Sequence, residues 1–348
     1  MTSEFLNKRI VVTGASSGIG QACAIYYLNN GAKVALCGRD METLKEIGKK
    51  YPGQATIIQM EICEDVAILD LKSTVVEILG GVDIFVNCAG VMFDGDVEKT
   101  FPQDFDYTVD VNLRAVFLII KHFLSYFNGK NPSIINVSCL YGSKPQNNLT
   151  AYCMSKAGLE MLTKFAAAEL ASAGIRVNAV TACPVDTNFQ KYVGVSDNEY
   201  ERFKERVSKN IPLGRMASPD DVARAIVFLS SNRSSTITGH ILKVDGGRSL
   251  TSSGWVPWRG SVNMNSRYEP DGIIPSLQIN ELYNSIYDKY IGSNKKEVEY
   301  PKTENDIEKL IDQSNWATRS SGAHDKVTAS YKPMPSNDDY LQKFITKK

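Results

Sequence analysis

Tyr152 and Lys156 stand four residues apart, so on a helix they share one face and the ammonium lies near the phenol. That neighbour favours the ionised phenol. A phenol titrates near 10 in water, and bringing it to about 7 takes about 4 kcal/mol of differential stabilisation, part of which Lys156 supplies. Neutral Tyr152 then becomes an acid able to protonate a carbonyl oxygen. The same spacing occurs at Tyr126 and Lys130 and at Tyr200 and Lys204, and about one such pair is expected by chance in a chain of this composition. What singles out Tyr152 is Ser138, at the C-terminal end of a strand-like run, where parallel sheets hold their ligands. Ser138 is expected to donate a hydrogen bond to the substrate oxygen. Tyr126 is followed by Gly129, which suits a helix end, and Tyr200 lies in a charged segment, so both read as structural.

The elements that must carry these groups alternate along the chain. β-Branched runs at Arg9–Thr13, Lys33–Cys37, Ala55–Met60, Val82–Asn87, Ser133–Ser138, Ile175–Val180 and His240–Val244 read as seven strands, with helical segments between them. The best helices are Ala151–Ala173 and Pro219–Ser230, the latter with Ser218 as cap and proline at its first position. The pattern predicts an α/β protein with a doubly wound parallel sheet.

Directly after the first strand comes Thr13-Gly14-Ala15-Ser16-Ser17-Gly18-Ile19-Gly20, leading into a helical segment from Gln21 to Asn30. Glycines there allow a tight turn and a close backbone approach to a pyrophosphate, while the free amides of the helix face the anion. The chain therefore reads as a Rossmann-type dinucleotide binder. The second strand ends in Cys37-Gly38-Arg39-Asp40, where an acidic side chain would hold the ribose of NAD. Arg39 stands there instead, and a guanidinium pairs with phosphate. The other reading of Arg39 is a surface residue capping the next helix.

The G-x-x-x-G-x-G spacing of this loop, with Asn87-Cys88-Ala89-Gly90, Asn112, Ser138, Tyr152-x-x-x-Lys156, Pro212-Leu213-Gly214-Arg215 and Val244-Asp245-Gly246-Gly247, resembles the short-chain dehydrogenase/reductase family over residues 1–247. The resemblance implies a catalytic set of Asn112, Ser138, Tyr152 and Lys156, with Asn112 positioning a water that links Lys156 to solvent. It implies cofactor contacts at Gly14, Ser16, Ser17, Gly18, Ile19, Gly20, Arg39, Glu61, Ile62, Asn87, Ala89, Gly90, Tyr152, Lys156, Pro184, Val185 and Thr187. Glu61 replaces the family's more usual Asp, and Val185 its glycine. The activity implied is hydride transfer between a nicotinamide and a carbonyl or alcohol substrate, with NADP(H) favoured over NAD(H) through Arg39 and with the 3-oxoacyl and carbonyl reductases as the most similar branches. A substrate lid over 188–211 and a homo-oligomer built through the long helices after Phe101 and Ala151 are implied likewise.

Composition narrows the alternatives. The chain has 348 residues, 39 Lys plus Arg against 39 Asp plus Glu, and 43% hydrophobic content. Zero net charge and no basic cluster argue against a nucleic-acid partner. The longest apolar run, Ala115–Ile120, falls far short of the roughly 20 residues that span a bilayer. The first strand begins too early to leave room for a signal peptide. Seven scattered cysteines without a C-x-x-C pair fit reduced thiols and a cytoplasmic protein. Three separated histidines give no support to a metal site. Cys139 and Cys153 flank Ser138 and Tyr152, where small buried packing is expected and oxidation would silence the enzyme.

Near residue 250 the composition shifts: residues 251–348 hold all three tryptophans and no cysteine, and about a third of them are apolar. The chain therefore divides into a catalytic domain, 1–250, and an aromatic, proline-rich extension, 251–348, expected to be partly helical and to dock on a protein surface. Apolar residues recur with helical period from Leu277 to Ile291, and a shorter helix is expected over Asp306–Gln313. The extension motivates a second reading, an assembly subunit that keeps the reductase fold and anchors a larger complex through this tail.

Overall fold

The structure is a computed structural model, and it describes residues 4–182, 184–187 and 196–250. The extension 251–348 with its two expected helices, Cys183 and the stretch 188–195 of the expected lid lie outside the described residues.

Seven strands form one parallel sheet: β1 (Arg9–Thr13), β2 (Lys33–Gly38), β3 (Ala55–Gln59), β4 (Ile84–Asn87), β5 (Ser133–Ser138), β6 (Arg176–Ala182) and β7 (Ile241–Val244), in the order β3-β2-β1-β4-β5-β6-β7. Among the described residues, eight α-helices lie between them: α1 (Gly18–Asn29), α2 (Met41–Lys50), α3 (Asp65–Leu79), α4 (Pro102–Val109), α5 (Ala115–Phe123), α6 (Thr150–Leu170), α7 (Asp197–Ser208) and α8 (Pro219–Ser230). The doubly wound, Rossmann-type sheet expected from the strand and helix alternation is present. β1, β4, β5 and β6 are buried on both faces, which is why they read as continuous apolar runs.

One core layer packs α1 and α8 against the sheet through Tyr27, Leu28, Val222 and Ile226. The other packs α3, α5 and α6 through Ile68, Ile119, Phe123 and Leu159. Phe85 and Phe123 meet edge to face with ring centroids 5.2 Å apart.

Helix ends follow local chemistry. α8 starts at Pro219 behind a reciprocal capping box, in which Ser218 and Asp221 satisfy each other's backbone amides. α6 stops at Leu170, and a single 3₁₀ turn, Ala171–Ala173, reaches Gly174, whose φ of 73° few other residues adopt. α1 begins at Gly18, three residues before the expected start, because the second loop glycine already belongs to the helix.

β4 is shorter than expected at its start. Arg9 spends its backbone amide on the Asp83 carboxylate (2.8 Å) and Val82 donates to the Tyr126 carbonyl, so strand pairing begins only at Ile84. The same carboxylate takes the Arg9 guanidinium at 2.9 and 3.2 Å. Burial pushes the Asp83 carboxyl up, but the hydrogen bonds from Arg9 outweigh it and hold the group below its usual value of 3.8. A depressed folded value stabilises the protein above the unfolded one and is lost as pH falls through the folded one. Asp83→Asn should therefore cost about 1–3 kcal/mol at neutral pH. In urea titrations the gap from wild type should close as pH drops below 3.8; a gap unchanged by acid would remove the carboxylate's part in tying β4 to β1.

Candidate active site and nucleotide cleft

The chain leaves β1 toward β2 on one side and reaches β4 on the other, so a crevice opens at the C-terminal ends of β1 and β4. The glycine loop lines it. Gly14 (φ 66°) and Gly18 (φ 52°) are left-handed, and a Cβ on Gly14 would stand 3.0 Å from the Ala89 nitrogen. A Cβ on Gly20 would collide with the Gly14 carbonyl, which is how α1 comes so close to β1. Ser17, ahead of α1, makes no side-chain cap, and the first turn carries no acidic residue, so its amides remain suited to an anion. The Thr13 hydroxyl accepts from the Cys88 and Ala89 amides at 3.1 and 3.2 Å, pinning the strand-four signature to the loop. Ile19 is partly buried against the core, and Ser16 packs beside Gly38.

Arg39 is 55% exposed and faces Glu61 at 3.7 Å and the Tyr107 hydroxyl at 3.4 Å. The capping role belongs to Asp40, whose carboxylate accepts from the Thr43 amide (3.1 Å) and hydroxyl (2.6 Å) and is held below its usual range by them. This removes the reading of Arg39 as a cap. Ile62 is buried among α3 and the sheet. Asn87 donates to Asn136 at 2.9 Å, while its buried Oδ1 has no protein partner.

α6 crosses the end of β5 and carries the expected pair. The Lys156 ammonium donates to the Val137 carbonyl at 2.9 Å and sits 5.7 Å from the centre of the Tyr152 ring. It is 5% exposed. Burial pulls its pKa down, while Cys139, Cys88 and Glu160 nearby act to raise it. Asn112 lies in a π-helical turn, Asp110–Arg114, between α4 and α5. Its amide accepts from the Val91 nitrogen and donates to the Val91 carbonyl, each at 2.9 Å, and to Ser155 at 3.0 Å. A Cβ on Gly90 would stand 3.2 Å from Asn112 Oδ1 and 3.5 Å from Lys156 Nζ, so these three residues adjoin.

Ser138 has a side-chain partner of its own. Its buried hydroxyl donates to Glu160 Oε1 at 3.0 Å, two helical turns beyond Tyr152 on α6. Cys139 and Leu140 instead form the small buried cluster against which Tyr141 and Tyr152 pack. Glu160 is absent from the motifs, although its place four residues after Lys156 on the same face is a usable signal. Thr13 and Tyr107 also join the site, and spacing offers no signal for either. Burial pushes the Glu160 carboxyl up, with Ser138 and nearby lysines opposing.

Pro184 accepts from the Ala217 amide, and Val185 forms an isolated parallel bridge with Ala217, an extended conformation that a β-branched residue adopts readily. Thr187 approaches Gly18, its Cγ2 lying 3.4 Å from where a Cβ would stand. Tyr200 donates to Asp186 at 2.6 Å and Lys204 pairs with the same carboxylate at 2.5 Å, so this Tyr/Lys pair anchors α7. Tyr126 lies in a 3₁₀ turn after α5.

The sequence profile of the family described as enoyl-(acyl carrier protein) reductase matches residues 14–249. A 3-oxoacyl-(acyl-carrier-protein) reductase of Thermotoga maritima is 34% identical over 244 residues, covering 69% of this chain and 97% of the relative. That of Rickettsia prowazekii is 36% identical over 248 residues, covering 70% and 98%. The crystal structure of a 3-ketoacyl-(acyl-carrier-protein) reductase from Brucella melitensis complexed with NADH is similar with a TM-score of 0.64 and 32% identity, over 70% of this chain and 99% of that one. A short-chain dehydrogenase/reductase of unknown function from Caenorhabditis elegans, solved with cofactor, gives 0.67 at 28% identity, over 72% and 98%. With the glycine loop, the strand order and the Tyr152 and Lys156 pair already in place, these likenesses show that the chain belongs to the short-chain dehydrogenase/reductase family of oxidoreductases.

Proposed function

We propose that the protein is an NADP(H)-dependent carbonyl reductase, or alcohol dehydrogenase in the reverse direction, with Tyr152 as its acid and base. The observation that carries this reading is the buried Lys156 ammonium beside the Tyr152 ring at the mouth of the glycine-lined crevice. The crevice suits a dinucleotide: its loop packs backbone on backbone at Gly14 and Gly20, where a Cβ would strike Ala89 or the Gly14 carbonyl, and the amides of α1 and the Arg39 guanidinium complement phosphate. The nicotinamide, when bound, supplies or accepts the hydride at the carbonyl carbon. Tyr152 delivers the proton to the oxygen during reduction, and Lys156 favours the phenolate left behind. Asn112, joined to Val91 and Ser155, would position a water that links Lys156 to solvent.

Of the expected contacts, Gly14, Ser16, Ser17, Gly18, Ile19 and Gly20 would hold the pyrophosphate, Arg39 and Glu61 the adenosine side with Ile62, Asn87, Ala89 and Gly90, and Pro184, Val185 and Thr187 the carboxamide end. Preference for NADP(H) rests on Arg39, which must turn from Glu61 to meet a ribose phosphate. The named reductase relatives favour a 3-oxoacyl or similar small ketone as substrate. Phe117 on α5 and Met154, Met161 and Phe165 on α6 are exposed apolar side chains on the helices expected to pair subunits, which favours a homo-oligomer. Six described cysteines are without a disulfide, in keeping with a cytoplasmic setting. Among the described residues no helix is long and apolar enough to cross a membrane.

NADPH oxidation with a panel of ketones and 3-oxoacyl thioesters tests the activity. Tyr152→Phe should lower kcat by about 10²–10⁴-fold with little change in NADPH Kd; equal turnover by the variant would remove Tyr152 from the chemistry. Arg39→Ala should weaken NADPH by about tenfold, about 1.4 kcal/mol, and NADH much less; equal loss for both would end the case for NADP(H). Phe165→Glu should shift the gel-filtration mass toward the monomer if this face pairs subunits, and an unchanged mass would place the interface elsewhere.

A further inference from the structure

We infer that Cys139, not Ser138, is the strand-end side chain that meets the substrate oxygen beside Tyr152. The inference rests on the reductase reading above and deepens it by naming the second group at the reacting carbonyl.

Three observations converge. Ser138 is the last residue of β5 and pairs with Thr181 of β6. Its side chain faces α6, where its hydroxyl proton is spent on Glu160 and its surroundings are buried. Cys139 keeps an extended backbone, φ −139° and ψ 154°, so the strand's alternation runs one residue further and its side chain leaves on the opposite side from that of Ser138. A 3₁₀ turn, Leu140–Gly142, then follows, closed by the Gly142 amide on the Cys139 carbonyl at 2.9 Å. Tyr152, near the start of α6, packs against the cluster that Cys139 forms with Leu140. Cys139 is also among the groups that act electrostatically on Lys156.

A thiol is a bulkier and weaker hydrogen-bond donor than a hydroxyl. Beside a carbonyl gaining negative charge it orients the oxygen toward Tyr152 and stabilises that charge less than a hydroxyl would. The hydride still goes to carbon and the Tyr152 proton to oxygen; Cys139 keeps its own proton throughout. Its contribution is therefore graded by donor strength, which gives the inference a signature that packing alone lacks.

The experiment measures kcat and KM for a reducible ketone in wild type, Cys139→Ser, Cys139→Ala and Ser138→Ala, with Tyr152→Phe as control and NADPH affinity read by nicotinamide fluorescence. We expect kcat to fall in the order Ser, Cys, Ala at position 139, the alanine variant losing about tenfold or more with NADPH Kd unchanged. NADPH deuterated at C4 should show a larger isotope effect on kcat in Cys139→Ala, because hydride transfer has slowed relative to release. Ser138→Ala should act mainly on melting temperature. A Cys139→Ala enzyme as fast as wild type, or a Ser138→Ala enzyme that alone loses turnover, would overturn the inference while leaving the reductase reading intact. Wild-type turnover that is absent, or insensitive to Tyr152→Phe, would overturn both.

Discussion

A cation buried at the end of a β-strand is the constraint on which the rest of this structure depends. Taking an ammonium out of water costs several kcal/mol unless its protons find acceptors and its charge finds partners. Lys156 meets part of that demand through the Val137 carbonyl and the nearby Glu160 carboxylate, while burial still holds its pKa below the usual value. The bond latches α6 across the end of β5. With the helix so placed, Tyr152, one turn earlier, has its ring 5.7 Å from the ammonium.

A polar spine reinforces that latch. Asn87 donates to Asn136, Asn136 to Thr163, and Thr163 to the Leu159 carbonyl, a chain running from the end of β4 through β5 into α6. A second line runs from Val91 through Asn112 and Ser155 to the Tyr152 carbonyl. Buried amides in such a series are stabilising only while each finds its partner, so the register of α6 on the sheet is specified residue by residue. The π-helical turn at Asp110–Arg114 belongs to the same requirement, since it sets Asn112 facing Val91 rather than along a regular helix. The Ser138 bond to Glu160 ties the lower part of α6 in the same way.

At the adenosine side of the crevice, charge rather than packing decides. Arg39 is the cation there, yet Glu61 and Tyr107 share it, while Asp40 is withdrawn into the cap of α2. Burial and the neighbouring Glu61 carboxylate push the Tyr107 phenol upward, so it stays protonated as a donor to that group. Arg39, Glu61 and Tyr107 thus balance one another across the end of β2 and the helix α4, residues far apart in sequence.

The residue order by itself determined the alternation of strands and helices, the glycine turn, the cap of α8 and the Tyr152 and Lys156 pair, because each depends on neighbours within a few positions. Strands buried on both faces declare themselves as apolar runs, and β1 and β5 came out with the bounds expected. The start of β4 did not, because the competing Arg9 and Asp83 pair joins residues 74 apart. The Ser138 bond to Glu160 was likewise beyond local reading. Where the Ser138 hydroxyl finds its acceptor depends on where Glu160 arrives from α6, and that is decided only when helix and sheet pack together.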